Sequence, residues 1–422
     1  MIDTHPQSHD AVNMPLWRQA LMGGQMLFVA FGALVLVPIL TGLDPNVAFF
    51  TAGIGTLIFQ LVTRRTVPIF LASSFAFIAP ISFSVQSWGL PSTLGGLMAA
   101  GLFYVALSMV VRLRGSGFLY RLFPPVVVGP VIMVIGLGLA PVAVGMASGE
   151  ANQAIDPNTS ITLAGISLMT TLLISTMAGG ILKLVPILCG VLAGYVSAVF
   201  MGVVDFQPMI DRPWLAMPNF TTPEWNLNAV LFMIPVAIAP AIEHIGDMLA
   251  ISSVTGKKYL EKPGLQNTLL GDGLATSAAA MFGGPPNTTY SEVTGAVMLT
   301  KAFNPVIMTW AAVIAIAVAF ISKVGGFLAT IPTPVMGGIM MLLFGSIAVV
   351  GLNTLIKAQV DLGKPRNLVI VSVVLVFGIG NLALNFGDLT LKGISLCAIT
   401  AVILNLVLPH AEKDDRFQSA EV

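Results

Sequence analysis

The chain is 422 residues long, balances 19 basic against 19 acidic side chains, and is 56% hydrophobic with a mean hydropathy of +0.92. Only 9% of its residues are charged, against roughly 25% in a soluble domain. A soluble globular protein is therefore excluded, and the charge pattern carries no nucleic-acid footprint.

The polar head, Met1 to Leu16, lacks the basic, apolar and small-residue regions of a cleaved leader and is expected to remain as a tail. A span needs about 20 apolar residues. Suitable runs follow near 20–40, 46–63, 68–86, 92–111, 122–143, 160–179 and 184–203, then 227–251, 265–283, 288–304, 306–322, 331–350, 367–384 and 389–409. The fold class expected is all-α and polytopic, with fourteen transmembrane segments. Cys189 and Cys397 lie inside apolar runs and read as packed thiols, with no disulfide or metal site.

Two of these runs do not read as plain helices. Ala72-Ser-Ser-Phe-Ala-Phe-Ile-Ala-Pro80 and Pro285-Pro-Asn-Thr-Thr-Tyr290 place polar or ring-constrained residues where a helix would otherwise continue. Unpaired backbone groups cannot face hydrocarbon, so such breaks persist only where protein surrounds them or where they line a cavity. A short surface loop is the plainer alternative for the second segment. Discontinuous spans otherwise mark the solute sites of secondary transporters, whose half-helix ends aim their dipoles at the substrate.

With fourteen spans and an inside N-terminus, Arg212, Lys323 and Lys392 fall outside, and the other sixteen of the 19 basic residues fall inside. That asymmetry follows the positive-inside rule and places both termini in the cytoplasm. An internal repeat is also visible. Phe123-Pro-Pro-Val-Val-Val-Gly-Pro-Val-Ile-Met-Val-Ile-Gly136 aligns with Pro332-Thr-Pro-Val-Met-Gly-Gly-Ile-Met-Met-Leu-Leu-Phe-Gly345, matching Pro125 to Pro334, Gly129 to Gly338 and Gly136 to Gly345. Seven spans per copy is an odd number, so the second copy enters from the opposite face. A seven-plus-seven inverted repeat is expected, with the site near the midplane where the broken segments meet.

Four acidic residues fall in or near apolar runs of the second half: Glu243, Asp247, Asp272 and Glu292. Glu243 and Asp247 are four apart and share a helix face. A buried carboxyl that changes its protonation state is what a proton-coupled carrier requires. A structural hydrogen bond from Asp247 to a broken-helix amide is the alternative. Glu292 opens a helix after the break, where it can cap free N–H groups. Asp272 reads as structural and nearer the cytoplasmic end of its span. His244 turns about 100° from Glu243 on the helix and reads as a packed histidine, because nothing supplies further metal ligands. Phe75 is the ring placed to lie against a planar solute. Neither a nucleophile elbow nor a phosphate loop appears, so no enzyme is expected. A passive channel would also use broken membrane segments.

The chain resembles the nucleobase–cation symporter 2 (nucleobase/ascorbate transporter) family over nearly its full length. The resemblance rests on Gln25 with Phe31-Gly-Ala-Leu-Val-Leu-Val-Pro38, Leu71-Ala-Ser-Ser-Phe-Ala-Phe-Ile-Ala-Pro80, Ile242-Glu-His-Ile-Gly246, Pro286-Asn-Thr-Thr-Tyr-Ser-Glu292 and Pro332-Thr-Pro-Val-Met-Gly-Gly338. It implies two short antiparallel strands in the third and tenth spans and a division into core and gate. By this resemblance the tails are 1–17 and 411–422, the core domain is 18–111 and 227–324, the gate domain is 112–204 and 325–410, and 205–226 is an extracytoplasmic loop.

The resemblance also implies roles. Glu243 and Glu292 match the glutamates that hold the base, Phe75 the residue beside it, Ser291 a backbone donor and Ala33 a small wall residue, with Tyr290 in the same motif. His244, Asp272, Gln25 and Asn287 are expected as structural polar groups. Three positions depart from the family's uracil carriers. Asp247 stands where they have a histidine tied to proton coupling, Phe344 replaces a gate tyrosine, and Val293 replaces an asparagine. The implied activity is proton-coupled import of uracil through the bacterial inner membrane, with xanthine or uric acid as the alternative substrate. The coupling ion is a proton, no cofactor is expected, and the implied partners are membrane lipid and a second copy joined through the gate domain.

Overall fold

A computed structural model describes residues 14–115, 117–150, 155–180, 182–386 and 389–409. The charged C-terminal tail and nearly all of the N-terminal tail lie outside the described residues. In chain order the elements are α1 (Leu16–Thr41), α2 (Pro45–Val62), β1 (Leu71–Ser73), α3 (Ile78–Arg114), α4 (Gly117–Leu122), α5 (Pro125–Ser148), α6 (Pro157–Met177), α7 (Pro186–Phe200), α8 (Gln207–Ile210), α9 (Leu227–Val236) and α10 (Ile238–Thr255). There follow α11 (Leu265–Met281), β2 (Asn287–Thr289), α12 (Ser291–Thr300), α13 (Val306–Ala319), α14 (Ser322–Ala329), α15 (Thr333–Lys357), α16 (Pro365–Ile379), β3 (Ala383–Phe386), β4 (Leu389–Lys392) and α17 (Gly393–Val407). The fold is an all-α, multi-pass membrane architecture with two small antiparallel strand pairs. Among the described residues, seven helical stretches are long and apolar enough to cross a membrane, and four more apolar helices are shorter.

Helix starts follow from local chemistry. Asp44 and Asp156 precede Pro45 and Pro157 and accept the first free N–H groups of α2 and α6. A proline in the first helical turn sacrifices no intrahelical hydrogen bond. The same logic accounts for the repeated Pro-rich motifs, since Pro125 and Pro334 stand in the first turns of α5 and α15.

Several boundaries differ from the sequence expectation. The third and fourth runs stay two helices, joined within α3 by a break at Gly89 (φ 80°, ψ 167°), a conformation open to glycine and costly for other residues, but the third starts its helix only at Ile78, after β1. The 227–251 run is split at Ala237 into α9 and α10, because Pro240 lacks the N–H that a continuous helix would use and its ring conflicts with the preceding turn. The ends of the last two expected spans form a hairpin instead, with Ala383 opposite Lys392 and Phe386 opposite Leu389. Asp272 lies at the middle of α11 rather than near its end.

Glycine lets backbones approach in place of side chains, as in other membrane bundles. In α5 and α15, which run antiparallel, Gly129 abuts Gly351, Gly136 abuts Phe344 and Ala348, and Gly337 abuts Met146 and Ala147. Along α3 and α11, also antiparallel, Gly101 abuts Gly273 and Ser277, and the Ser108 hydroxyl donates to the Gln266 carbonyl at 2.6 Å. Further pairs are α2 with α13, α1 with α13 and α9 with α3.

Candidate functional site

The two broken segments meet. Pairing of β1 with β2 sets Leu71 opposite Thr289, Ala72 opposite Thr288 and Ser73 opposite Asn287, and the Ser74 N–H donates to the Pro286 carbonyl at 2.9 Å. Both strands are fully buried. Three of their spare polar groups are taken up by flanking helices. The Leu71 N–H donates to Thr56 Oγ1 at 3.0 Å, Asn287 Nδ2 donates to the Thr51 carbonyl at 2.7 Å, and the Thr276 hydroxyl donates to the Asn287 carbonyl. The pairing therefore satisfies backbone that hydrocarbon could not.

Helices start directly beyond each strand. A short turn over Phe75–Phe77 leads into α3, and α12 begins at Ser291 with Glu292 in its first turn. Free N–H groups at these two starts supply partial positive charge beside the strand crossing. Against them packs α10, carrying Glu243 and Asp247.

A cavity of about 810 Å³ lies at this crossing, within the range of small-molecule sites. Phe75, Glu243, Asp247, Tyr290 and Glu292 line it, and the rings of Phe75 and Tyr290 lie 6.3 Å apart. The facing wall is apolar and comes from Val128, Ile132 and Ile135 of α5 with Leu343 and Ile347 of α15. Away from the strands, the cavity extends toward Leu119, Phe123, Lys357 and Ala358.

Ala33 and Phe344 are buried in the apolar core, and the cavity wall beside Phe344 is made by its neighbours Leu343, Ser346 and Ile347. Gln25 is half-buried on α1. Ser291 begins α12, but its side chain lies outside the described residues. Asn287 serves the strand pair through Thr51.

His244 and Asp272 are completely buried behind the cavity. His244 Nδ1 is 3.6 Å from Asp272 Oδ2 and 3.2 Å from Thr289 Oγ1, and the His244 ring stands edge-on to Phe59. The Thr289 hydroxyl donates to Asp247 Oδ2 at 2.7 Å. No group of three or more His, Cys, Asp or Glu side chains is placed to hold a metal ion among the described residues.

Sequence reasoning missed the apolar wall and Thr289. The wall had a readable signal, because 128, 132 and 135 recur at helical spacing along the very segment that aligns with 332–345. Thr289 had none, since a threonine within a strand shows its partner only once the strand is placed.

The chain matches a family described as a permease family over residues 18–386. It is 61% identical over 404 residues to the probable uracil permease of Haemophilus influenzae, covering 96% of this chain and 97% of that protein. The uracil permease of Bacillus caldolyticus is 45% identical over 395 residues, covering 91% and 90%. Solved structures with the same fold include the transmembrane domain of the cyanobacterial bicarbonate transporter BicA, with TM-score 0.62, 14% identity and coverage of 92% of this chain and 97% of that one. Another is the murine Slc26a9 anion transporter in the inward-facing state, with TM-score 0.68, 10% identity and coverage of 93% and 68%.

Proposed function

This chain belongs to the nucleobase–cation symporter 2 permease family, and on that footing we propose that it imports uracil together with a proton across the bacterial inner membrane. The observation that carries the site is the pair of carboxyl-bearing residues, Glu243 and Glu292, facing one cavity at the crossing of two broken spans. Uracil presents N–H donors and carbonyl acceptors on one planar ring. Carboxylate oxygens suit the donors, and backbone N–H groups at the starts of α3 and α12, Ser291 included, suit the carbonyls. Phe75 and Tyr290 supply aromatic surface for the ring face. Asp247, on the same face as Glu243, is the assigned proton carrier, with Glu243 its partner in coupling.

Alternating access follows from a seven-plus-seven inverted repeat. Its support lies in packing that is mirrored between the halves. If the second half repeats the first, the α2–α13 contact becomes the α11–α3 contact, and α1–α13 becomes α9–α3. Exchange of the halves maps α5–α15 onto itself, as expected for helices on a pseudo-twofold axis. Residues 18–111 and 227–324 form the core in this reading, and 112–204 with 325–410 form the gate. Phe344 then acts by anchoring the gate wall rather than by touching substrate. Both termini are cytoplasmic, and two copies join through the gate. The cavity extends toward Lys357, an end that the basic-residue asymmetry assigns to the cytoplasm, which supports an inward-open state.

Substrate choice is tested by competition against labelled uracil bound to the purified protein. Uracil displaces the label most strongly, while xanthine, uric acid and hypoxanthine compete weakly. Displacement by xanthine at concentrations below those needed with uracil would contradict the uracil assignment.

A further inference from the structure

Three buried groups line up with the acidic wall of the substrate cavity, Thr289 at the wall itself and His244 and Asp272 behind it. Asp247 faces the cavity, Thr289 Oγ1 lies 2.7 Å from its Oδ2, His244 Nδ1 lies 3.2 Å beyond that hydroxyl, and Asp272 Oδ2 lies 3.6 Å from the same ring nitrogen. His244 and Asp272 have no exposed surface and take no part in the cavity wall. The first two steps lie at hydrogen-bond distance, and the third, at 3.6 Å, needs a small rotation of the imidazole to close. Resting on the proton-coupled reading above, we infer that Thr289 is a relay residue, connecting Asp247 in the cavity to a proton-holding site at His244 and Asp272 behind it.

The transfer balances without any further reactant. A protonated Asp247 gives its proton to Thr289 Oγ1 as the Thr289 hydroxyl gives its own to His244 Nδ1. The imidazole, now carrying protons on both nitrogens, passes the Nδ1 proton to Asp272 Oδ2. Only O–H and N–H bonds form and break, and one proton moves from Asp247 to Asp272. A neutral imidazole with its proton on Nε2 is the starting tautomer, which leaves Nδ1 free to accept from the Thr289 hydroxyl.

The surroundings favour moving a proton over leaving charge in place. Glu243 on α10 and Glu292 on α12 lie near Asp247, and Tyr104 on α3 lies near Asp272, with Thr288 and Thr289 of β2 beside the Asp272 carboxyl. Lys357 lies at the far end of the cavity, away from the strands, so negative charge accumulating beside β2 has protons as its ready compensation. Substrate and proton then occupy separate places. The proton can sit behind β2 while uracil occupies the cavity beside Glu243 and Glu292.

Thr289→Val tests the relay, because it keeps the side-chain shape and the strand's backbone pairing while removing the hydroxyl. In proteoliposomes Thr289→Val is expected to bind uracil within about threefold of the wild-type affinity and to support counterflow of labelled for unlabelled uracil, which needs no net proton movement. Accumulation driven by an inward proton gradient is lost, and Thr289→Ser restores it. Gradient-driven accumulation by Thr289→Val overturns the relay, and so does loss of uracil binding, which would make Thr289 a structural prop. Wild-type uptake indifferent to the gradient overturns the functional reading itself, and the relay with it. A wild-type protein that is coupled alongside a Thr289→Val variant that is also coupled overturns the relay alone.

Discussion

Glu243→Gln and Glu292→Gln each weaken uracil binding by about 10- to 150-fold, equivalent to ~1.5–3 kcal/mol for a charge-assisted hydrogen bond. Glutamine keeps the length of the side chain but replaces an anionic acceptor with a neutral amide, half of which is a donor that faces the substrate's own N–H groups. Both side chains line the cavity, from α10 on one side and the first turn of α12 on the other. Neither loss is therefore expected to be rescued by the other. Equilibrium binding of labelled uracil to purified variants measures the effect, with thermal unfolding as the control for folding. Near-native affinity in both variants would place the substrate away from this crossing.

Gly101→Leu has the largest expected effect on the fold. A Cβ at residue 101 would run into Ser277 Oγ and stand 2.6 Å from the Ser277 nitrogen and 2.7 Å from the Gly273 carbonyl oxygen. Two of those atoms are backbone, so the strain cannot be relieved by a rotamer and α3 must separate from α11. Overpacking of a tight core costs about 1–3 kcal/mol, occasionally more, and here it also disturbs α11, which holds β2 through Thr276. The variant should show a lowered unfolding temperature and a smaller monodisperse fraction in mild detergent. Gly138→Leu is the control, because a Cβ there meets nothing within 4 Å. Equal stability of the two variants would mean that the α3–α11 contact is looser than its backbone distances indicate.

Much of this architecture was legible because membranes punish irregular backbone. Polar, proline-flanked residues at 72–80 and 285–290 could persist only if they found each other or a cavity, and β1 pairs with β2 at those positions. Intramembrane carboxyls were similarly conspicuous, and Glu243, Asp247 and Glu292 face one space. The β3–β4 hairpin was not legible, since Ala383-Leu-Asn-Phe386 and Leu389-Thr-Leu-Lys392 are apolar enough to pass for the ends of spans. Short apolar runs do not declare helix or strand by periodicity alone.

The partnership of His244 with Asp272 was equally hidden. Their separation of 28 positions in sequence reflects two helices, α10 and α11, whose packing against β2 brings the side chains within 3.6 Å. Residue type alone also does not tell which way Phe344 faces. It is an aromatic within the segment that aligns with 123–136, and its burial leaves Leu343 and Ile347 to face the cavity. Which side of a helix meets the site depends on neighbours that only the packed structure supplies.

Uptake of labelled uracil into proteoliposomes under an imposed inward proton gradient tests the transport claim most directly. Uracil should accumulate inside above its external concentration, and the accumulated label should leave when an uncoupler collapses the gradient. Uracil that merely equilibrates across the membrane, at the same rate and to the same level with or without the gradient, would contradict proton-coupled symport.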